Sequence, residues 1–364
     1  MSIDYVDKDD FRKLATICKI SEINEIEGCD NIIQATVKGW NVVARKGIYN
    51  VGDKCIYVEI DSLLPPTNPE FCVFKGPIKT KKIRGAISQG ILFEISLLPE
   101  IVNGIHREML PLGTCVTEVL GITKYVEQGA TELEATASNR FPINLPKTNE
   151  ERIQNIFKRT YKIYKDYTFT ETEKLDGTSF TAYLDETDKM KVCSRNCIVN
   201  NDSVEKFLIV TAQAHGIEEI LLKIKNIYGF TPMLQGECVG PKIQGNPYKL
   251  GDKQIFFFRM YSITDAKFID YNMFLNIANE LSIQTVPIIS KEYKLPEKLS
   301  DLLDHVSGQS KLYPKTRREG SVFVLNVETI KEEDIKNIPD WDSSNNRISF
   351  KVISNDFLLK QKTK

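Results

Sequence analysis

From Leu14 to Ile60 the apolar residues fall in short alternating runs, LATICKISEINEI, NIIQATVKGWNVVAR and KCIYVEI, separated by polar or glycine turns such as NVGD. Period-two alternation sends successive side chains to opposite faces of a strand. Several such runs at even spacing, with no helical period, predict a small β-barrel of the oligonucleotide-binding (OB) type; a small sandwich satisfies the same pattern. SLLPPTNPEF then interrupts with three prolines, and the basic, strand-like KKIRGAISQGILFEI follows. The stretch from Val126, VEQGATELEATASNRFPINLPKT, is polar, acidic and proline-punctuated and reads as a linker. Beyond it, TNEERIQNIFKRTYKIY predicts a helix with Thr148 as N-cap and Glu151 completing a capping box. SVEKFLIVTAQAHGIEEILLKI predicts one long amphipathic helix. The remaining runs, YTFTETEK, SFTAYL, KVCSRN, PMLQGECVG, QIFFFRMYSI, EGSVFVL and RISFKVI, are β-rich with few helices between them. They predict an α+β domain of mostly antiparallel strands rather than a βαβ array. The expected layout is an N-terminal domain over 1–125, a linker over 126–146 and a larger domain over 147–364.

Composition narrows the classes. A chain of 364 residues with 41% hydrophobic and 27% charged residues is an ordinary globular composition with room for two domains. No apolar run approaches the ~20 residues of a membrane span. The acidic start MSIDYVDKDDF does not resemble a secretory signal, so cytoplasm or nucleus is the expected compartment and no membrane partner is expected. None of the eight cysteines forms a CxxC pair, which predicts reduced thiols; Cys193 and Cys197 lack the second pair a zinc site needs. The net charge of −1 means that a nucleic-acid partner must be met by local charge. Three basic clusters supply it: KGPIKTKKIRG, with Lys79, Lys81, Lys82 and Arg84; FKRTYKIYK; and KLYPKTRREG. No GxGxxG or GxxxxGK[ST] loop is present.

The chemistry-bearing stretch is ETEKLDGTSF, which places Lys174, Asp176 and Gly177 in a tight turn between two strand-like runs. In order behind it come Arg195 in SRN, Glu237 in LQGE, Phe258 and Tyr261 in FFFRMYSI, Glu319 in REGSV and Lys351 in SFKV. The series resembles motifs I, Ia, III, IIIa, IV and V of the covalent nucleotidyltransferases, which include polynucleotide ligases and mRNA capping enzymes. PKTNEERIQN, ISQG and SFKVISNDFLLK narrow the likeness to RNA ligases with an OB domain before the ligase domain. Thirteen residues follow Lys351, too few for an OB domain after motif V.

That resemblance implies an OB-type barrel followed by a nucleotidyltransferase (ATP-grasp-like) domain of antiparallel sheets flanked by helices. It implies ATP and Mg2+ or Mn2+ as cofactors. The implied partner is RNA with 3′-hydroxyl and 5′-phosphate ends, in a nicked duplex, met by a monomer. Lys174 and Lys351 would be catalytic, Lys174 as the nucleophile that becomes lysyl-AMP. Its amine must shed a proton from a side chain of ordinary pKa about 10.4, and neighbouring positive charge, a metal and Lys351, would favour that. Asp176 and Glu319 would hold the metal, and Glu237 would join them or hold the ribose. Arg152, Glu173, Arg195 and either Tyr261 or Phe258 would complete the nucleotide site, and Lys79, Lys81, Lys82 and Arg84 would bind RNA. A DNA ligase or mRNA guanylyltransferase on the same scaffold, and a non-catalytic RNA-binding module, are the alternatives. One departure stands out: motif V reads Lys351, Val352, Ile353, without the second lysine many relatives carry, so either Lys360 or another cation replaces it or the grip on the triphosphate is weaker. His106, His215 and His305 fit no pattern.

Overall fold

The computed structural model describes residues 13–125, 139–147, 150–327, 330 and 348–360. Backbone proximity divides the chain into two compact units. One is built on Met1–Gln128 with short contributions from Gln154–Ile156 and Leu358–Lys364, the other on Gly129–Ile153 and Phe157–Phe357.

The alternating runs of the N-terminal unit become a five-stranded antiparallel sheet in the order Trp40–Arg45, Ile32–Val37, Ala15–Glu25, Lys54–Val58, Ile91–Phe93. The long Ala15–Glu25 strand pairs with a neighbour on each side and carries an irregularity between Ile20 and Glu22. Such a bulge lets a strand coil and serve two edges. The sheet nearly closes, because the Gln89 N–H donates to the Asn41 carbonyl at 2.8 Å and the Val43 N–H to Ser88 Oγ at 3.0 Å. Ile20, Val37, Trp40 and Tyr57 fill the interior, all 0% exposed. The expected OB-type barrel is the fold found. Lys81–Ile83 and Ala86–Ser88 form a hairpin whose two turn residues, Arg84 and Gly85, both have positive φ, as a tight two-residue hairpin loop requires.

The larger unit holds two five-stranded sheets. In one the order is Glu151–Arg152, Ser349–Ile353, Gly320–Leu325, Phe169–Lys174, Ile288–Tyr293. In the other it is Met190–Cys193, Thr178–Leu184, Pro232–Val239, Gln254–Ser262, Lys267–Phe268. Every pairing is antiparallel except that of Glu151–Arg152 with Phe350–Lys351. The main apolar core lies on one face of the second sheet, where Phe180, Leu234 and Phe257 meet Leu221 and Ile224 from the helix Ile217–Tyr228.

Two helix expectations change. The capping box does not start a helix at Glu151: Glu151 and Arg152 are taken up as a short strand at the edge beside Lys351, and the helix runs Ile153–Tyr164. Thr148 lies outside the described residues, as does the 126–138 part of the expected linker. The long amphipathic helix is two, Phe207–Ala214 and Ile217–Tyr228, divided at Gly216, whose φ of 62° reverses the chain.

Gly320 sets how closely two strands of the first sheet can lie. A Cβ there would sit 2.0 Å from the Val352 carbonyl oxygen and 2.9 Å from Ile353 Cα, both backbone atoms that cannot swing away. Gly320→Ala is expected to cost about 1–3 kcal/mol of stability, the usual cost of overpacking, and to spread the strands on either side. Urea unfolding of the two proteins measures it, and an unchanged midpoint would show that the ladder relaxes freely.

Candidate active site

The first sheet ends at Lys174 and the second begins at Thr178, so Leu175–Gly177 is a three-residue crossing between the two. Gly177 is required because a Cβ would meet the Cys238 carbonyl oxygen at 2.4 Å. Leu175 is anchored in an apolar cluster with Val239, Tyr248, Phe256 and Val286. The Asp176 N–H donates to the Tyr248 hydroxyl at 2.6 Å. The turn is thereby fixed at all three residues, and the lysine before it emerges in one place.

Register then assembles the charges. Thr172 faces Val322, Val322 faces Lys351, and Arg152 lies opposite Lys351 in the parallel pair, so one face of the first sheet carries Lys174, Lys351 and Arg152. Gly320 is opposite Lys174, which brings the preceding Glu319 within 2.6 Å of Lys174 Nζ. The lysine and glutamate side chains are 27% and 14% exposed. Glu237 and Asp176 complete the acidic surroundings of Lys174. Arg152 and Arg195 stand with Lys174 around Lys351. Lys360 is exposed at the end of the Asn355–Lys360 helix.

The two lysines differ in an unexpected way. Burial alone would strip the proton from Lys174, but Glu319, Glu237 and Asp176 outweigh it and raise its pKa above the ordinary lysine value. The expectation that positive neighbours depress it does not hold for the chain by itself, because its nearest partner is a carboxylate. Lys351 is the depressed lysine. Burial, then the charges of Lys174, Arg152 and Arg195, bring it down to about 8 against the pull of Glu150. Glu237 is pushed up to about 8, by burial first and by repulsion from Glu319 and Asp176, with Lys174 opposing.

The other expected residues separate. Glu173 lies on the opposite strand face from Lys174 and is 1% exposed. Its Oε2 accepts the Lys311 N–H at 2.7 Å, while Oε1 has no hydrogen-bond partner. Of the two aromatic candidates, Tyr261 packs into an apolar cluster with Phe141, Leu145, Met233 and Phe268. Phe258 is half-buried against the cluster that contains Leu175 and Tyr248, with Leu312 and Tyr313 beside it. The structure therefore puts Phe258, not Tyr261, next to the Lys174 turn. Lys81, Lys82 and Arg84 are exposed on the hairpin of the N-terminal unit and Lys79 is half-buried before it. Among the described residues no three carboxylate, histidine or cysteine side chains close into a ready metal cage. No helix among them is long and apolar enough to cross a membrane.

Some residues that shape the site carried no motif. Arg259, 7% exposed, donates to Glu150 Oε1 at 2.5 Å and lies 4.4 Å over the Phe268 ring. Glu150 is also the acid that faces Lys351, so this pair braces the cationic corner. Glu171, fully buried behind the Lys174 strand, accepts from Ser321 Oγ at 2.6 Å and meets His305 Nε2 at 2.7 Å and Arg318 at 3.7 Å. The sequence signal was an acid two residues before Glu173, on the core face of an alternating strand.

An RNA ligase family model matches residues 167–351, just over half of the chain. The chain belongs to the RNA ligase family. A model of an OB-fold domain matches residues 14–95 of this ligase. Solved structures of Naegleria gruberi RNA ligase share the fold along almost the whole length. A lysine-to-methionine mutant with AMP and Mn is 29% identical at a TM-score of 0.81, with 97% of this chain and 100% of that chain covered. A glutamate-to-alanine mutant with ATP and Mn is 30% identical at 0.80, with 97% and 100% covered. The complex with PPi is 28% identical at 0.80, with 96% and 99% covered. No curated protein sequence matches the ligase.

Glu237 gives the ligase a pH signature. Its carboxyl goes from an ordinary 4.5 to about 8 on folding, so between those values the folded chain holds a proton that the unfolded chain has lost. The contribution of Glu237 to stability must fall as pH rises through that window. In chelator, Glu237→Gln is expected to gain Tm over the unsubstituted ligase between pH 5 and 8, with the gap widening toward pH 8. Thermal scans across the range check this, and a constant gap would show that Glu237 ionises normally.

Proposed function

We propose that this RNA ligase seals 3′-hydroxyl and 5′-phosphate RNA ends, preferentially at nicks in a duplex, by way of a lysyl-AMP on Lys174 formed from ATP. The observation that carries the reading is Lys174, fixed by a three-residue turn among Glu319, Glu237 and Asp176 and facing the cations Lys351, Arg152 and Arg195. The Lys174 nitrogen attacks the α-phosphorus of ATP, the bond to pyrophosphate breaks, and Glu319, 2.6 Å from Nζ, stands ready for the departing proton. Lys351, Arg152 and Arg195 would meet the phosphate oxygens as charge builds in the transition state. AMP then passes to an RNA 5′-phosphate, and the 3′-hydroxyl attacks that phosphate and releases AMP.

The donor set of Asp176, Glu237 and Glu319 is hard oxygen and fits Mg2+ or Mn2+. Magnesium usually takes one or two carboxylates and completes its shell with water and nucleotide phosphates. When bound, the ion supplies positive charge beside the α-phosphate. Phe258 offers its ring to the adenine face. The unpartnered Glu173 Oε1 is an acceptor that suits the exocyclic amine of adenine and opposes the carbonyl oxygen of guanine. Lys79, Lys81, Lys82 and Arg84 would contact RNA phosphates from the N-terminal unit.

Two experiments test the reading. Incubation with α-labelled ATP or GTP and a divalent ion, then denaturation, should leave label on the chain from ATP alone. Lys174→Ala should carry none, yet keep part of its activity on a pre-adenylylated nick, and a labelled mutant would dismiss the nucleophile. In the same assay Glu173→Gln should narrow the preference for ATP over GTP by about ten-fold or more, the scale of one hydrogen bond to a charged acceptor. Unchanged preference would place the adenine elsewhere.

A further inference from the structure

The helix Ile153–Tyr164 begins directly after Arg152, and its sequence IQNIFKRTYKIY contains no acid. Ile153, Gln154, Thr160 and Tyr164 are buried, while Lys158, Arg159, Lys162 and the C-cap Lys165 are exposed. Lys158, Lys162 and Lys165 are four and three residues apart and so line one face of the helix. Among the described residues none of these three lysines makes an ion pair. Cations near a helix C-terminus complement its dipole, which accounts for Lys162 and Lys165. It does not account for Lys158 in the middle of the helix, where a like charge four residues away is unfavourable. An external polyanion removes that repulsion.

Position gives the stripe a scale. At 1.5 Å per residue, Lys158 lies about 9 Å and Lys165 about 20 Å along the chain from Arg152. A strand of an A-form RNA duplex rises by roughly 3 Å per nucleotide, somewhat less than in B-form DNA, so the stripe covers roughly three to six nucleotides measured from the phosphate-handling corner. We propose that Lys158, Lys162 and Lys165 form a track for the sugar-phosphate backbone of one RNA arm flanking the junction. The proposal rests on the RNA ligase reading and adds a binding surface on the catalytic unit, separate from the hairpin of the N-terminal unit.

The test uses the full chain with Lys158, Lys162 and Lys165 changed together to Glu, and nicked RNA duplexes whose arms are shortened one at a time. Three quantities are read: the labelled adduct from ATP, nick affinity against salt, and affinity against arm length. The adduct should persist. Affinity near 0.1 M salt should drop at least ten-fold, and the salt slope should become shallower by about 2–3, at roughly 0.9 for each phosphate that the variant no longer neutralises. The unsubstituted ligase should weaken when one arm falls below about six nucleotides, and the variant should ignore that shortening. Equal slopes and equal arm-length dependence would overturn the proposal, as would a uniform loss with an unchanged slope. If the Glu variant loses the adduct, Lys→Gln at the same three positions keeps helix propensity and decides by the same readouts. Failure of the ligase reading itself looks different: the unsubstituted chain would then form no adduct and seal nothing.

Discussion

Everything at the site depends on how closely two backbone strands and one turn can approach. Gly177 lets the crossing between sheets touch the Cys238 carbonyl, and Gly320 lets its strand touch the Val352 carbonyl. Each approach is too short for any side chain. Together they fix the end of the Lys174 strand against the beginning of the Gly320–Leu325 strand, so the Lys174–Glu319 distance is set by backbone registry rather than by the freedom of two long side chains. In the proposed reaction a flexible lysine would have to give up that freedom. Here it is given up on folding, where core burial offsets it.

The supports behind this frame are polar, unusually for a core. Glu171 is fully buried and shares its carboxylate among Ser321, His305 and Arg318. Ser321 adjoins Gly320, and Arg318 donates to the backbone carbonyls of His305 and Val306. A buried carboxylate with several donors is tolerable, and removal of its cationic partner Arg318 would leave charge uncompensated. The same logic holds for Arg259 and Glu150 at the other end of the site.

How much of this was legible in the sequence follows from the range of each cause. The barrel strands and the antiparallel character of the larger unit were legible, because alternation is local and both units bury one face of each sheet. Lys174, Asp176, Glu237, Glu319 and Lys351 were legible as an ordered series, and the structure brings them together. What failed was non-local. Glu151–Arg152 has helical company, but the free edge beside Lys351 claimed it as a strand. Gly216 split a helix whose hydrophobic period ran straight through it. Tyr261 and Phe258 sit three residues apart on one strand, and an irregularity in the ladder between Gln235 and Gly236 shifts the register there. Only the packed sheet reveals which ring adjoins the turn. His305 had no motif because its partner, Glu171, is 134 residues away.

The charges of the site carry one more consequence. In the chain alone Lys174, the proposed nucleophile, holds its proton more firmly than a free lysine, while Lys351 on the same face holds its own more loosely. An ammonium paired with Glu319 has no lone pair to offer. Burial first, and then repulsion from the neighbouring carboxylates of Glu319 and Asp176, let Glu237 retain a proton up to about pH 8. Positive charge added among those carboxylates acts on both imbalances at once: it lowers the repulsion that protonates Glu237 and weakens the attraction that protonates Lys174. In the proposed reaction this arrangement would hold the amine protonated until a cation arrives with the nucleotide. A site that lowered the lysine's pKa by permanent positive neighbours would lack that condition and would leave a free amine exposed to any electrophile.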